Sequence, residues 1–594
     1  MRFLSVIFLF TSLSSFSQPI NYFLSMPQPT THEFIVEIEM NTGGKPSVSF
    51  VMPAWSPGRY TIQNFAKSVS DVEAISNGKK LNLTKTDKQT WKVDTKGITK
   101  FRLKYKVFAN NLNGTFSVLD SDHANYNGPS LFMFADGMRN YPVNLTISPF
   151  GKWKIFNGYS ENPNQTEFRF KSYDMMIDTP TEIGEFRVFE KMIKGKNVRI
   201  MIHDEDPDTT GTSEFIRKVY AVTEAQYNAM PEIDYEKYTF MIHFSTKPNT
   251  FSDGMEHFNS TQVIVRGSLK NPANSMTALG TVSHEHFHAW NVKRLRPEGV
   301  GPHNLTSELY TPSLWFSEGF TEYFEPVFMV RSKVISLEEF RRQFQSNISG
   351  FTSSEGRQKR NASESSMDTW FWYNSSYDNN FNANWYSYYS QGQTIATMMD
   401  LKIRKESNHK LSLEGFMGHM YKTFYEKEKG DWYYKGKPFK ENDILTQLEK
   451  YTGKNWSSFW NRYVKGFDAF DASLLDDFGM KLTSDTTKKW NSGIYAVPNE
   501  KGFLRISTIR ENSEAEKSGL QTGDIIISVN GNSTLEKSWD QMNDMIILNS
   551  AVRFELMRNQ RLITISINAA QPQINTKLTI TDSKNENLKK WLNL

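Results

Sequence analysis

His284 and His288 stand four positions apart in His284-Glu285-His286-Phe287-His288, and Glu318 follows in Leu314-Trp315-Phe316-Ser317-Glu318-Gly319-Phe320. Residues at i and i+4 lie one above the other on a helix, so the pair can share one target only if this stretch is helical. Ser275 to Asn291 reads as that helix: Met276, Leu279, Val282, Phe287 and Trp290 give an apolar side, and Pro297 closes the region. A second helix is expected with Thr311 as N-cap and Pro312 in the first helical position, where a missing N–H costs nothing. Glu318 then falls about two turns in, among Leu314, Trp315 and Phe320. A carboxylate amid that much aromatic surface needs a partner, because an unpaired buried charge is costly.

Two helical imidazoles and a buried carboxylate make a zinc ligand set, His284, His288 and Glu318, for one ion per chain. Glu285, beside the first histidine, is then aimed at water in the open fourth position, whose pKa zinc lowers from about 15.7 to roughly 7. The plain alternative is a structural ion pair flanked by two surface histidines. Metal-bound histidines usually donate their other N–H to a carboxylate or carbonyl, and Glu322 or Thr321 could serve, or Glu322 could be a solvated acid. His286 points off the ligand face and reads as structural or substrate-lining; His257 and His303 have no spacing that argues for metal.

The run from His284 to Pro297, followed by Leu314 to Thr321, resembles the M61 (glycyl aminopeptidase) family of gluzincin metallopeptidases. The 29 residues between His288 and Glu318 fit the longer M61 connection rather than the shorter one of M1 aminopeptidases. The resemblance implies a multidomain α+β chain. It places an N-terminal β-sheet domain at 18–177, a thermolysin-like, mostly helical catalytic domain at 178–480, a PDZ domain at 481–570 and a weakly packed tail at 571–594. Phe251-Ser252-Asp253-Gly254-Met255-Glu256-His257 is similar to the edge strand that pairs with substrate backbone in such enzymes. Gly254 and Met255 would then line the substrate and Glu256 would hold its free α-ammonium; otherwise Glu256 is a turn acid after the apolar run Tyr238 to Ile242. Tyr388-Tyr389-Ser390-Gln391-Gly392, ahead of a helix expected from about Gln393 to Arg404, resembles the Tyr-x-x-Gly segment whose tyrosine steadies the oxyanion. Tyr389 matches, Tyr388 is the substitute, and packing is the ordinary fate of a tyrosine in so aromatic a stretch. Met52 to Tyr60 resembles the family's N-terminal signature, read as a loop near the active-site mouth or a packed turn.

The remaining sequence agrees. His32 to Glu39 and Phe101 to Val107 alternate as strands, and Asn77-Gly78 and Asn113-Gly114 mark turns. Asp178 to Gly184 reads as the junction into the catalytic domain, and Leu411 to about Phe467 as further helices with Trp432, Trp456 and Trp460 in their core. Ala515 to Gly531 resembles a PDZ domain, with a degenerate carboxylate loop near Ser492-Gly493-Ile494; peptide C-termini or mere packing are its two uses. A net charge of +4 on 594 residues gives no support for nucleic-acid binding. Arg2, the apolar run Phe3 to Phe10 and small residues to Ser17 have the order of a cleavable secretory signal, too short for a membrane span. A periplasmic or secreted protein is expected, and with no cysteine it has no disulfide framework. The resemblance implies an aminopeptidase acting on peptides with a free N-terminus and favouring small first residues such as Gly or Ala. A PDZ-assisted zinc endopeptidase of the cell envelope and a non-catalytic peptide-binding envelope protein are the alternatives.

Overall fold

The computed structural model describes residues 18–247, 250–372, 384–428, 433 and 435–594; the signal segment expected at 1–17 and Trp432 lie outside the described residues. The chain forms two compact units, one running up to Ser56 and from Gln63 to Phe186, the other made of Pro57–Ile62 and Arg187–Leu594.

The first unit is built of three sheets, of seven, four and four strands. Strands Glu33–Asn41 and Lys100–Phe108 alternate buried and open residues because their sequences alternate apolar and charged side chains. Their register sets Glu37 opposite Lys104 and Glu39 opposite Arg102, and Arg102 donates to both glutamates at 2.7 and 3.2 Å. The junction expected at Asp178–Gly184 lies inside this unit. Strand Thr181–Gly184 pairs on one side with His123–Tyr126 and on the other with Lys154–Asn157, so both edges of its backbone are engaged. Glu182 is buried there and accepts from His123 Nδ1 at 2.8 Å and Asn125 Nδ2 at 3.1 Å.

The second unit opens with a five-stranded mixed sheet in the order Arg187–Ile193, Lys196–Asp204, Lys237–Ser245, Ser260–Arg266, Asp253–Glu256. The middle strands pair in parallel, and Lys237–Ser245 is almost wholly buried, as its continuous apolar run requires. Asp253–Glu256 is the antiparallel edge, with Gly254 opposite Val263 and Met255 opposite Gln262. Helices α1 (Thr212–Ala229), α2 (Pro272–Phe287), α3 (Leu314–Arg331), α4 (Leu337–Ser353) and α5 (Tyr388–Glu406) follow. α2 begins three residues before the expected start because Asn271 caps it and Pro272 takes the first helical position. It ends at Phe287, with His288 as its C-cap. α3 starts later than expected. Thr311 Oγ1 accepts from the Ser313 N–H in a short turn, Ser313 is the N-cap, and Glu318 is the fifth residue of the helix, little more than one turn in.

Pro326 lies inside α3 and cannot donate to the Glu322 carbonyl, which accepts instead from Gln393 Nε2 of α5 at 3.1 Å. α3 and α5 touch at Gly319 and Gly392. A Cβ on Gly319 would fall 2.2 Å from the Gly392 Cα, and one on Gly392 would fall 2.0 Å from the Trp315 carbonyl. Only two glycines allow so close a crossing.

Beyond the helices, Ile494–Pro498, Leu504–Ile509, Ile525–Val529, Ala551–Arg558 and Arg561–Asn568 form the expected PDZ sheet around Leu504, Ile506, Ile526, Phe554 and Leu556. The segment after Gln571 is not the weakly packed tail that its sparse periodicity suggests. Pro572–Ile580 pairs with Met480–Trp490 in a two-stranded ribbon that brackets the PDZ sheet. The last helix, α6 (Glu586–Leu592), buries Leu588, Trp591 and Leu592. A helix of seven residues has room for only one apolar stripe, so it shows no repeat in sequence.

Candidate metal and peptide site

The last turn of α2 and the first turns of α3 bring three ligand atoms together. His284 Nε2 and His288 Nε2 are 3.1 Å apart, and Glu318 Oε2 lies 3.6 Å from the first and 3.2 Å from the second. These are the separations expected between corners of a tetrahedron whose centre binds N and O donors at about 2.0–2.1 Å. The opposite ring nitrogens are turned outward. His288 Nδ1 donates to the Asn291 carbonyl at 2.7 Å, while His284 Nδ1 faces Glu322 at 3.8 Å and Glu325 at 3.7 Å. The His288 contact leaves its Nε2 lone pair for an ion, and the His284 ring turns its Nε2 the same way. Burial would raise the Glu318 carboxyl, yet His288 and His284 pull it down to about 2. Burial would lower His288, yet Glu318 raises it to about 9. A metal ion bound at their centre would displace the histidine protons, because a histidine ligates as the neutral ring. Glu285 completes the fit: it is 7 % exposed, and its Oε2 has no hydrogen-bond partner.

Burial, reinforced by the Glu256 and Glu318 carboxylates, pushes Glu285 up to about 8. Gly254 on the edge strand makes room for it, since a Cβ there would stand 2.2 Å from Glu285 Oε1. Glu256, two residues on, lines a cavity of only ≈ 30 Å³ with Gly58, Tyr60, Phe258 and Tyr433. Gly58, at φ +91°, is pressed against Met255 and Glu256, 3.0 Å from Glu256 Oε2 to the position a Cβ would take. The Met52–Tyr60 loop thus has its last residues at the site, and Arg59 is ion-paired with Asp253. Met255 is buried, and its carbonyl accepts from Thr261 Oγ1 at 2.8 Å.

The two tyrosines separate cleanly. Ser387 rather than Gln393 starts α5, capping it through the Tyr389 N–H. Tyr388 is buried with its hydroxyl on Thr369 Oγ1 at 3.0 Å. Tyr389 lies 6.3 Å from the His284 ring, nearly parallel to it, and lines a groove of ≈ 940 Å³ together with Glu285, Gly254 and Glu322. The Gly392–Gly319 crossing is what carries Tyr389 there. His286 is structural: it is buried between Gln226 and the Tyr235 hydroxyl, and burial with the nearby Arg294 guanidinium lowers it to about 3. Thr321 Oγ1 reaches His288 Nδ1 only at 3.5 Å; the Asn291 carbonyl is the nearer partner. His303 lines the small cavity, and His257 is buried.

Sequence reasoning missed Asn291 and Glu325. Glu325 carries a signal in the spacing of Glu318, Glu322 and Glu325 at i, i+4 and i+7, one helix face. Asn291 carries none, because its part is played by a backbone carbonyl.

Family models match three stretches of the chain: the peptidase M61 N-terminal domain at 21–185, the M61 glycyl aminopeptidase at 277–395 and a PDZ domain at 505–556. No curated protein matches the sequence. Among solved structures, an aminopeptidase N family protein from Idiomarina loihiensis superposes with a TM-score of 0.87 at 24% identity, covering 96% of this chain and 100% of that one. It shows that the whole fold is shared. An M1 zinc metallopeptidase from Deinococcus radiodurans (13% identity, 76% and 94% covered, TM-score 0.45) and yeast LTA4 hydrolase in complex with bestatin (13%, 78% and 70%, 0.45) are more distant and carry no weight here. Segments matching the M61 N-terminal and M61 glycyl aminopeptidase models, followed along the chain by a PDZ domain, make this chain a metallopeptidase that is similar to the M61 family.

Proposed function

We propose that the chain is a zinc aminopeptidase that removes small N-terminal residues from peptides. The observation that carries this reading is the contrast along the edge strand: Glu256 lines a cavity of ≈ 30 Å³, whereas Asp253 and Gly254 line a groove of ≈ 940 Å³ together with Glu285. A carboxylate beside so small a cavity suits one terminal ammonium and a side chain of very few atoms.

In this reading His284, His288 and Glu318 hold the ion. Zinc, when bound there, supplies the Lewis acidity that brings a water's pKa towards neutrality. Glu285 takes the proton from the attacking water and returns it to the leaving amine, a task its place beside His284 and its unpartnered Oε2 allow. The Tyr389 hydroxyl donates a hydrogen bond where negative charge develops on the former carbonyl oxygen. Glu256 anchors the α-ammonium, and the edge strand Asp253–Glu256 offers its open side to the substrate backbone.

The PDZ domain supports peptide binding of its own. Its edge strand Ile494–Pro498 and helix Trp539–Asn543 line a groove of ≈ 910 Å³ that also touches Gly350, Glu355 and Tyr386 of the peptidase. Residues 1–17, read as a secretory signal, would place the enzyme in the periplasm or outside the cell.

Free and N-acetylated peptides assayed with wild type and Glu285→Gln test the proposal. Release of the first residue from free peptides only, and its loss in Glu285→Gln, is the expected result. Cleavage of acetylated peptides at internal bonds would overturn it in favour of an endopeptidase.

A further inference from the structure

The cleft has an acidic wall on its leaving side. The edge strand runs from Asp253 to Glu256, and the large groove lies along Ser252, Asp253 and Gly254, at the end away from Glu256. A peptide whose first residue sits at Glu256 must therefore lay the residues beyond the cleaved bond in this groove. Among its described lining residues Arg59 is the only lysine or arginine, and it is ion-paired with Asp253. Opposite stand Glu322 and Glu325, with side chains 33% and 26% exposed; both approach His284 Nδ1, at 3.8 and 3.7 Å, too far for a hydrogen bond. Like charges three residues apart on one helix face repel. Met276 and Met329 line the same groove, and Glu285, 7 % exposed, leaves Oε2 without a partner at its floor.

We propose that this groove selects a lysine or arginine at the residue that becomes the new N-terminus. Its aliphatic stem lies on Met276 and Met329, and its charged head settles between Glu325 and Glu322. The inference rests on the aminopeptidase reading and adds to it the substrate class on the leaving side.

The test uses zinc-loaded full-length protein and Gly-X-Ala-Ala peptides with X as lysine, norleucine or glutamate. Turnover is measured with wild type, and binding by calorimetry with Glu285→Gln. Lysine is expected to exceed norleucine by about fivefold in both kcat/KM and affinity, with glutamate last, as befits a partly exposed charge pair. The preference should vanish in Glu325→Gln, turn towards glutamate in Glu325→Lys and shrink at about 1 M salt. A ratio between peptides is insensitive to a general loss of activity. Should Glu325→Lys not fold, the ratio in Glu325→Gln and Glu322→Gln decides. A profile flat across X in a protein that still releases glycine overturns this inference and leaves the aminopeptidase reading standing. Cleavage confined to internal bonds of acetylated peptides overturns both.

Discussion

His288 Nδ1 donates to the Asn291 carbonyl at 2.7 Å, three residues along the turn that leaves α2, and this contact decides which ring nitrogen faces the metal position. The Asn291 side chain then reaches the start of α3, donating to the carbonyls of Phe316 at 3.1 Å and Ser317 at 2.8 Å. One residue therefore fixes the His288 tautomer and the distance from the histidine helix to Glu318. Asn291→Ala keeps the carbonyl and removes the tie to α3. A direct hydrogen-bond partner of a ligand changes metal affinity by about 10- to 100-fold, so a support one step further out is expected to change it by about 10-fold. Zinc affinity, measured by chelator competition, should fall by that much while the circular dichroism spectrum is unchanged.

Gly254→Ala tests the base proposed at Glu285 apart from the proposed metal site. The new methyl would stand 2.2 Å from Glu285 Oε1, so the carboxylate must move, while His284, His288 and Glu318 come from other elements. A displacement of about 1 Å at a reacting group costs on the order of 100-fold in rate. The expected variant binds zinc as wild type does and loses about two orders of magnitude in kcat. Equal loss of zinc would mean that the strand shifts as a whole.

The meeting of His284, His288 and Glu318 was legible because helix periodicity joins His284 to His288, and because a buried carboxylate such as Glu318 demands a countercharge. Tyr389 was legible as a position but not as a mechanism. What brings it to His284 is Gly392 against Gly319, a crossing of two helices 73 residues apart in sequence that no local pattern announces. The start of α3 was misread because Thr311-Pro312 is a good cap by composition, whereas Ser313 two residues later takes that place. The last helix was hidden for another reason: its stability comes from what it packs against rather than from its own seven residues.

Acid should reveal the buried charges behind α3. Burial alone would raise the Glu414 carboxyl, but Arg331 and Arg404 hold it at about 2, against 4.5 for a free glutamate. A group depressed in the folded state stabilises above its unfolded pKa, and that stability is lost as pH falls through the folded one. Glu414 thus contributes about 3 kcal/mol above pH 4.5, disappearing between pH 4.5 and 2. Denaturation of wild type and Glu414→Gln should differ by about that amount at pH 7 and converge as pH drops through this window. A difference independent of pH would deny the ion pairs their part.

Trp591 ties the end of the chain to the helix that carries Glu318. Its ring is buried against Phe340, Phe344 and Phe478, with centroids at 5.6, 5.8 and 5.4 Å, and its Nε1 donates to the Tyr323 hydroxyl at 2.8 Å. Its carbonyl accepts from Arg331 Nε and Nη2 at 3.0 and 2.6 Å. Tyr323 and Arg331 both belong to α3, so the last helix braces the element whose first turns carry Glu318. Trp591→Ala empties that pocket and leaves the Tyr323 hydroxyl without its donor. Loss of a buried tryptophan costs about 3–5 kcal/mol. Urea denaturation followed by circular dichroism should show that loss for Trp591→Ala and a smaller one for Trp591→Phe, which refills most of the volume. Because the brace acts on α3 rather than on substrate, KM in the folded fraction should stay near wild type while zinc retention falls.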